Sequence, residues 1–229
     1  MFSDGGVGNR VMDRPVGLSQ VMGVLSFMFL AMAAGAFLVP PTLFLPAVIV
    51  EFALLFIIPW VTRRDRAQGR PVSHGMAGML AMVFAAAAGA VLAPMVQGLA
   101  QTSQGTTLLA EAALVTFAVF GIFGLYGLTT NRNLGGLARV LFFALLVLVG
   151  IMLLSLFFSS FFSPFALLIG LGGAVVFALM TAVDFQRAKY AGEDSAVMVA
   201  ISIFLDFVNL FVFILDILMI FGGRGRIKR

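Results

Sequence analysis

Seven apolar stretches alternate with short polar breaks along this chain, and each stretch is long enough to cross a bilayer as a helix. A hydrocarbon core of about 30 Å needs roughly 20 helical residues. Met1 to Gly17 is polar and Gly-rich and reads as a flexible tail, after which Leu18 to Val39 is the first apolar run. Pro40 and Pro41 break it, and Thr42 to Val61 forms the second, with Glu51 near its middle. A basic loop, Thr62 to Pro71, leads into a third run, about Val72 to Val96, rich in Ala and Gly. Gln97 to Thr106 is polar and uncharged and reads as a loop; Thr107 to Leu128 is the fourth run. Leu137 to Phe162 is the fifth, with a junction at Ser163-Pro164, because Pro suits the first turn of a helix. The sixth extends from Pro164 to about Asp184, with a continuation to Lys189, and the seventh from Ala196 to Phe221.

No polar stretch is long enough to bury a core of its own. The pattern therefore predicts an all-α integral membrane protein: a tail over residues 1–17, one seven-helix domain over 18–221, and a basic tail over 222–229. Reading the first run as a secretory signal, with Arg10 and Arg14 before it and Ala31 to Ala36 as cleavage site, fits less well. The apolar run continues past those small residues and more spans follow.

Composition sharpens this picture without altering it. Hydrophobic residues make up 62% of the chain and charged ones 10%, against about 45–50% and about 25% in soluble domains. Cysteine is absent, so disulfides and thiolate metal sites are excluded. The net charge of +4 is a topology signal and not a nucleic-acid signal. Ten of the fourteen Lys and Arg fall in segments on the N-terminal side of the membrane, and the three loops on the other side hold none. That bias places the N-terminus in the cytoplasm. The other four, Arg224, Arg226, Lys228 and Arg229, lie in a tail that seven spans would put outside. A re-entrant last segment would return the tail inside, but it needs a helix break, and neither Gly nor Pro occurs between Gly192 and Gly222. A full seventh span is the better reading.

Candidate chemistry concentrates in the last fifty residues, where Asp184, Asp206 and Asp216 interrupt apolar sequence. A carboxylate at mid-bilayer costs roughly 2.5–3.5 kcal/mol on insertion scales, and such residues usually face a bundle interior or a water path. At about 100° per residue, with Asp206 at zero, Ser202 falls near −40°, Asn209 near −60° and Asp216 near −80°. The four share one face of the last helix. Asp206 is about 15 Å from Ala196 along that helix and Asp184 about 7 Å inside the same membrane face, within reach of each other given tilt or a kink. Two neighbouring carboxylates in low dielectric cannot both ionise cheaply, so Asp184 and Asp206 are expected to share a proton and, once deprotonated, to offer oxygens to a hard cation such as Ca²⁺. The competing reading is that each acid is satisfied separately, by Arg63, Arg64, Arg187 or helix-end amides, and only joins helices.

Two further readings stay open. Glu51 is either pore-lining or a helix–helix hydrogen-bonding group, and Glu111 either a solvated helix-end residue or part of a pore mouth. The row Gly121, Gly124, Gly127 reads as close helix packing, and the single histidine, His74, as an interfacial structural residue. No enzyme signature is present. One His cannot supply a zinc-protease ligand set, Ser155 and Ser202 lack a neighbouring general base, and the Tyr-Asp and Gly-x-Gly-Asp patterns of aspartyl intramembrane proteases are missing. No cofactor is expected.

Asp184-Phe185-Gln186 followed by Leu205-Asp206-Phe207-Val208-Asn209-Leu210-Phe211, with Gly121-Ile122-Phe123-Gly124-Leu125-Tyr126 in the fourth span and Glu51 in the second, resembles the Bax inhibitor family, the transmembrane Bax-inhibitor-motif proteins. The resemblance covers nearly the whole chain after the tail. It implies a seven-helix fold with the last helix surrounded by the other six, placement in a bacterial inner membrane, and a pH-sensitive calcium leak. It also implies that Asp184 and Asp206 form a gating dyad, transiently meeting Ca²⁺, latched shut by a basic residue from the inner end of the second helix, Arg63 or Arg64. One position departs: family members commonly carry Arg where this chain has Asp216, so either Arg224 takes over that role or the outer vestibule attracts cations more strongly; Ser202, Asn209, Asp216, Glu51 and Glu111 stand as pore-lining candidates. A second function implied by the resemblance is modulation of a membrane-anchored ATP-dependent protease through the N-terminal tail.

Overall fold

A computed structural model describes residues 17–67, 74–192 and 195–224. Its helices are α1 (Gly17–Leu38), α2 (Phe44–Ala67), α3 (His74–Ala100), α4 (Ser103–Thr129), α5 (Gly135–Phe157), the single turn α6 (Ser159–Phe162), α7 (Ala166–Lys189) and α8 (Ala196–Arg224). Short 3₁₀ turns at Pro41–Leu43 and Ser163–Phe165 precede α2 and α7. Among the described residues there is no strand, and seven segments are long and apolar enough to cross a membrane, α6 and α7 counting as one. Large apolar side chains such as Phe27, Phe56, Leu156 and Phe157 point outward, as expected of a surface solvated by hydrocarbon.

The small-residue content of the third span explains the tightest interface. Gly35 of α1 lies against the backbone of Ala86, and Gly89 of α3 lies against the backbone of Met32. A β-carbon at either glycine would collide with a carbonyl, so the helices approach to backbone contact. The alanines at 85, 87, 88 and 90 of α3 are buried as well.

Three junctions differ from the sequence expectation, the first being the basic segment after Val61, where α2 continues through Thr62 to Ala67. The polar segment after Val96 is not a long loop: α3 continues to Ala100, and Thr102 caps α4 by accepting from the Gly105 amide at 3.0 Å. Gln97 is helical because its amide has a task, donating to the carbonyls of Ala36 (3.0 Å) and Val39 (2.9 Å) at the open end of α1, where a helix leaves its last carbonyls unsatisfied. The fifth span ends at Phe157 and not at Phe162. Phe158 leaves the helical region with φ −123° and ψ 46°, and Pro164 falls inside the following 3₁₀ turn. The chain thus turns before the proline, which occupies a first-turn position where its missing N–H costs little.

α8 is continuous from Ala196 to Arg224, about 43 Å at 1.5 Å per residue. It carries no break of the kind a re-entrant segment requires. Its neighbours are α7, α1, α4 and, less closely, α3, while α2 packs chiefly on α3 and α5 on α7. The last helix is therefore flanked mainly by four of the others, with α2 and α5 in an outer position, instead of being enclosed by all six. It nonetheless has the largest buried share of any span.

Candidate functional site

The site forms where the C-terminal half of α7 meets α8. Thr181, Ala182, Val183, Asp184 and Phe185 are all buried, and α4 explains why. At Gly127 a β-carbon would strike the backbone of Ala182, and Gly124 faces the Phe185 ring; the absence of side chains at these two positions lets α7 sink against α4. Gly121, the third of the row, faces open space. The packing expectation holds for two of the three glycines, since a three-residue step drifts by about 60° around a helix.

Sinking α7 carries Asp184 inside. It is 1% exposed, and Asp206 of α8 is 3% exposed. Asp206 lies within electrostatic reach of both Asp184 and Arg187. Arg187 donates from Nη1 to Asp184 Oδ1 at 2.7 Å, the one ion pair among the described residues, and its own side chain is half-exposed. Asp206 Oδ2 is buried and lacks a hydrogen-bond partner. The pair thus holds two carboxyl groups, one guanidinium and an unmet acceptor in a dry setting, where an unpaired charge is expensive.

Aromatic rings close the apolar side of this setting. Phe207 meets Phe29 at 4.6 Å, Phe117 at 4.9 Å and Phe120 at 5.2 Å between ring centroids; Phe204 meets Phe29 and Phe84, and Phe120 meets Phe185. On the opposite side Arg187 stands on the wall of a cleft of about 430 Å³, between the α4–α5 connection, the end of α7 and the start of α8. Gln186 fixes the rim: its Oε1 accepts from the Leu134 amide at 2.9 Å and its Nε2 donates to the Arg132 carbonyl at 2.8 Å.

The other candidates disperse. Arg63 and Arg64 are exposed at the end of α2, the Arg64 guanidinium lying over the Trp60 ring at 5.4 Å, and neither is brought to the carboxylates. Glu51 is half-buried on α2, and Glu111 is exposed on α4. Ser202 and Asn209 are half-buried on α8, and the Asn209 amide is occupied by the Leu205 carbonyl at 2.8 Å. Asp216 lines a different cleft. The side chains of His74 and Arg224, and all of Arg226 to Arg229, lie outside the described residues. The sequence reading gave Gln186 no task and held Arg187 only as one of several partners. The i,i+3 spacing of Asp184 and Arg187, which places them on one helix face, was the available signal.

Comparison with known proteins finds similar chains. The model of the family described as "Inhibitor of apoptosis-promoting Bax1" matches residues 14–223. Relatives include an uncharacterized protein of Helicobacter pylori strain J99, 28% identical over 178 residues, covering 78% of this chain and 76% of that one. Another, from Campylobacter jejuni, is 29% identical over 76% of this chain and 71% of its own length. An uncharacterized membrane protein of Streptococcus pyogenes serotype M3 is 28% identical over 80% and 75%.

Proposed function

The chain belongs to the Bax inhibitor family of membrane proteins, and from that premise we propose that it is a proton-controlled cation leak in which Asp184 and Asp206 form the gate and Ca²⁺ is the expected cargo. The observation that carries the reading is the pairing of two almost fully buried carboxylates with one half-exposed guanidinium, Asp206 Oδ2 lacking a partner. Two buried carboxylates beside one half-exposed guanidinium have few cheap charge states. Two carboxylates against one cation leave a net negative charge that a proton or a passing cation can neutralise.

Protonation changes what Arg187 is holding. With both acids ionised, the guanidinium binds Asp184 and feels Asp206; with one proton shared, its hold weakens, and the α7–α8 junction is free to rearrange. The equilibrium between closed and open forms then follows the proton count of the pair. Calcium takes six to eight oxygens, and among the described residues no third Asp, Glu, His or Cys joins the two. Such a site offers passage and not storage. In this reading the charge partner of the closed form is Arg187.

The test is Ca²⁺ entry into dye-loaded proteoliposomes holding the purified full chain, scanned from about pH 5 to 8, the range in which a proton shared by a buried carboxylate pair is expected to titrate. The wild type should show pH-dependent flux, and Asp184→Asn with Asp206→Asn should abolish that dependence. Flux equal to that of empty liposomes at every pH overturns the leak and leaves regulation of a membrane protease as the reading to pursue; unchanged pH dependence in the double variant removes the pair from the gate.

A further inference from the structure

Ten residues beyond Asp206 on α8, Asp216 lines a second cleft, of about 580 Å³, walled by α5, the turns over residues 159–165, α7 and α8. It exists because α5 packs on α7 and leaves a gap toward α8. It does not extend the carboxylate pair. Between Asp206 and Asp216 the α7–α8 seam is closed by Phe213, which is 4% exposed, sits on Gly173 and stacks on Phe177 at 5.9 Å. Asp216 lies about 30 Å along α8 from Ala196, the full thickness of a hydrocarbon core. The cleft is therefore at the boundary between acyl chains and headgroups on the membrane face opposite the α7–α8 turn.

Its polar corner holds one carboxyl group, Asp216, and three hydroxyls, Ser155, Ser159 and Ser163. Asp216 is acceptor-only when ionised. Ser155 has committed its proton to the Met152 carbonyl at 2.7 Å and so presents its lone pairs. Among the described residues no Lys or Arg lines the cleft, whose remaining wall is largely apolar, with Phe162, Ile169 and Met219 prominent. Asp216, with no basic side chain beside it, selects a ligand that brings a cation with N–H donors on an apolar body at headgroup depth, while the hydroxyls of Ser159 and Ser163 can serve the ligand's own acceptors. A primary ammonium has three such donors, while a trimethylammonium has none.

We propose that this cleft binds a phosphatidylethanolamine-type lipid, with Asp216 and Ser155 accepting from its ammonium and the apolar wall receiving the upper part of a chain. The volume lies within the about 300–1,000 Å³ usual for ligand pockets, and a mostly apolar wall with a few convergent polar groups is their usual composition. The site is independent of the leak proposed above, and its failure or success leaves that reading untouched.

The test is native mass spectrometry of the purified full chain exposed to equal amounts of dioleoyl phosphatidylethanolamine, phosphatidylcholine and phosphatidylglycerol. The wild type should retain the ethanolamine lipid about tenfold over the choline lipid, the scale of one charge-assisted hydrogen bond. Asp216→Asn should erase that preference. Ala166→Trp, which fills the cleft from an exposed position and keeps the carboxylate, should erase retention altogether and decides the matter if Asp216→Asn does not fold. Equal retention of ethanolamine and choline lipids by the wild type overturns the proposal, as does an unaltered preference in either variant. Displacement of the lipid by equimolar free ethanolamine would assign the cleft to a small amine, and displacement by equimolar Ca²⁺ to a cation vestibule; both overturn it.

Discussion

Asp206 and Asp216 are the same residue type on the same helix, ten positions apart, and their surroundings differ in nearly every respect. Around Asp206 the helices meet at backbone distance, glycines on α4 admit α7, rings from five helices close the space, and a second carboxylate and a guanidinium stand within electrostatic reach. Around Asp216 two helices stay apart, three serines line the gap, and no described cation is present. A buried acid among its own kind holds an internal equilibrium; an acid in an open apolar cleft awaits a cation from elsewhere. The physics of each comes from how closely the neighbouring helices approach, and not from the aspartate.

The separation depends first on Phe213, and removing it should have the largest effect. Phe213→Ala is expected to cost about 3 kcal/mol, the scale of an emptied aromatic site, read as a lower unfolding midpoint in mixed detergent; a loss below about 0.5 kcal/mol would mean the seam closes without it. Next comes the charge partner. Arg187→Ala leaves Asp184 buried and unpaired, and since the guanidinium is half-exposed the cost falls between the surface and buried limits, about 1–3 kcal/mol. Adding Asp184→Asn should recover most of it, and the single variant's deficit should shrink on acidification, because a protonated acid needs no cation. A deficit that persists in the double variant would assign Arg187 a packing role instead. The smallest effect is expected of Gln186→Ala, about 1 kcal/mol for its two bonds to the α4–α5 connection, visible as faster amide exchange at Leu134 with little change at α8.

Much of this was legible beforehand for a physical reason. Seven uninterrupted apolar runs leave hydrocarbon-spanning helices as the only way to satisfy their backbones, and three acids in apolar sequence stand out against such a background. The break at Phe158 was not legible, because nothing at that position distinguishes Phe-Phe-Ser-Ser from a continuing lipid-facing helix, and Pro164 drew the boundary too late. Gln97 read as loop because its polarity is explained only by the carbonyls of another helix. The pairing of Asp184 with Asp206 followed from depth along the helices. The identity of their cation did not: the choice among three arginines rests on how α2 lies against α3, which no spacing within α2 reveals.

Gly17, the first described residue, rests against the carbonyls of Ala188 and Ala191, at the turn that follows Asp184 and Arg187. Mechanically, this makes the start of α1 a handle on the site. A pull on the chain at Gly17 loads that contact first, and the load passes within one helical turn to the arginine paired with Asp184. Displacing the start of α1 would therefore be felt at the Asp184–Arg187 pair.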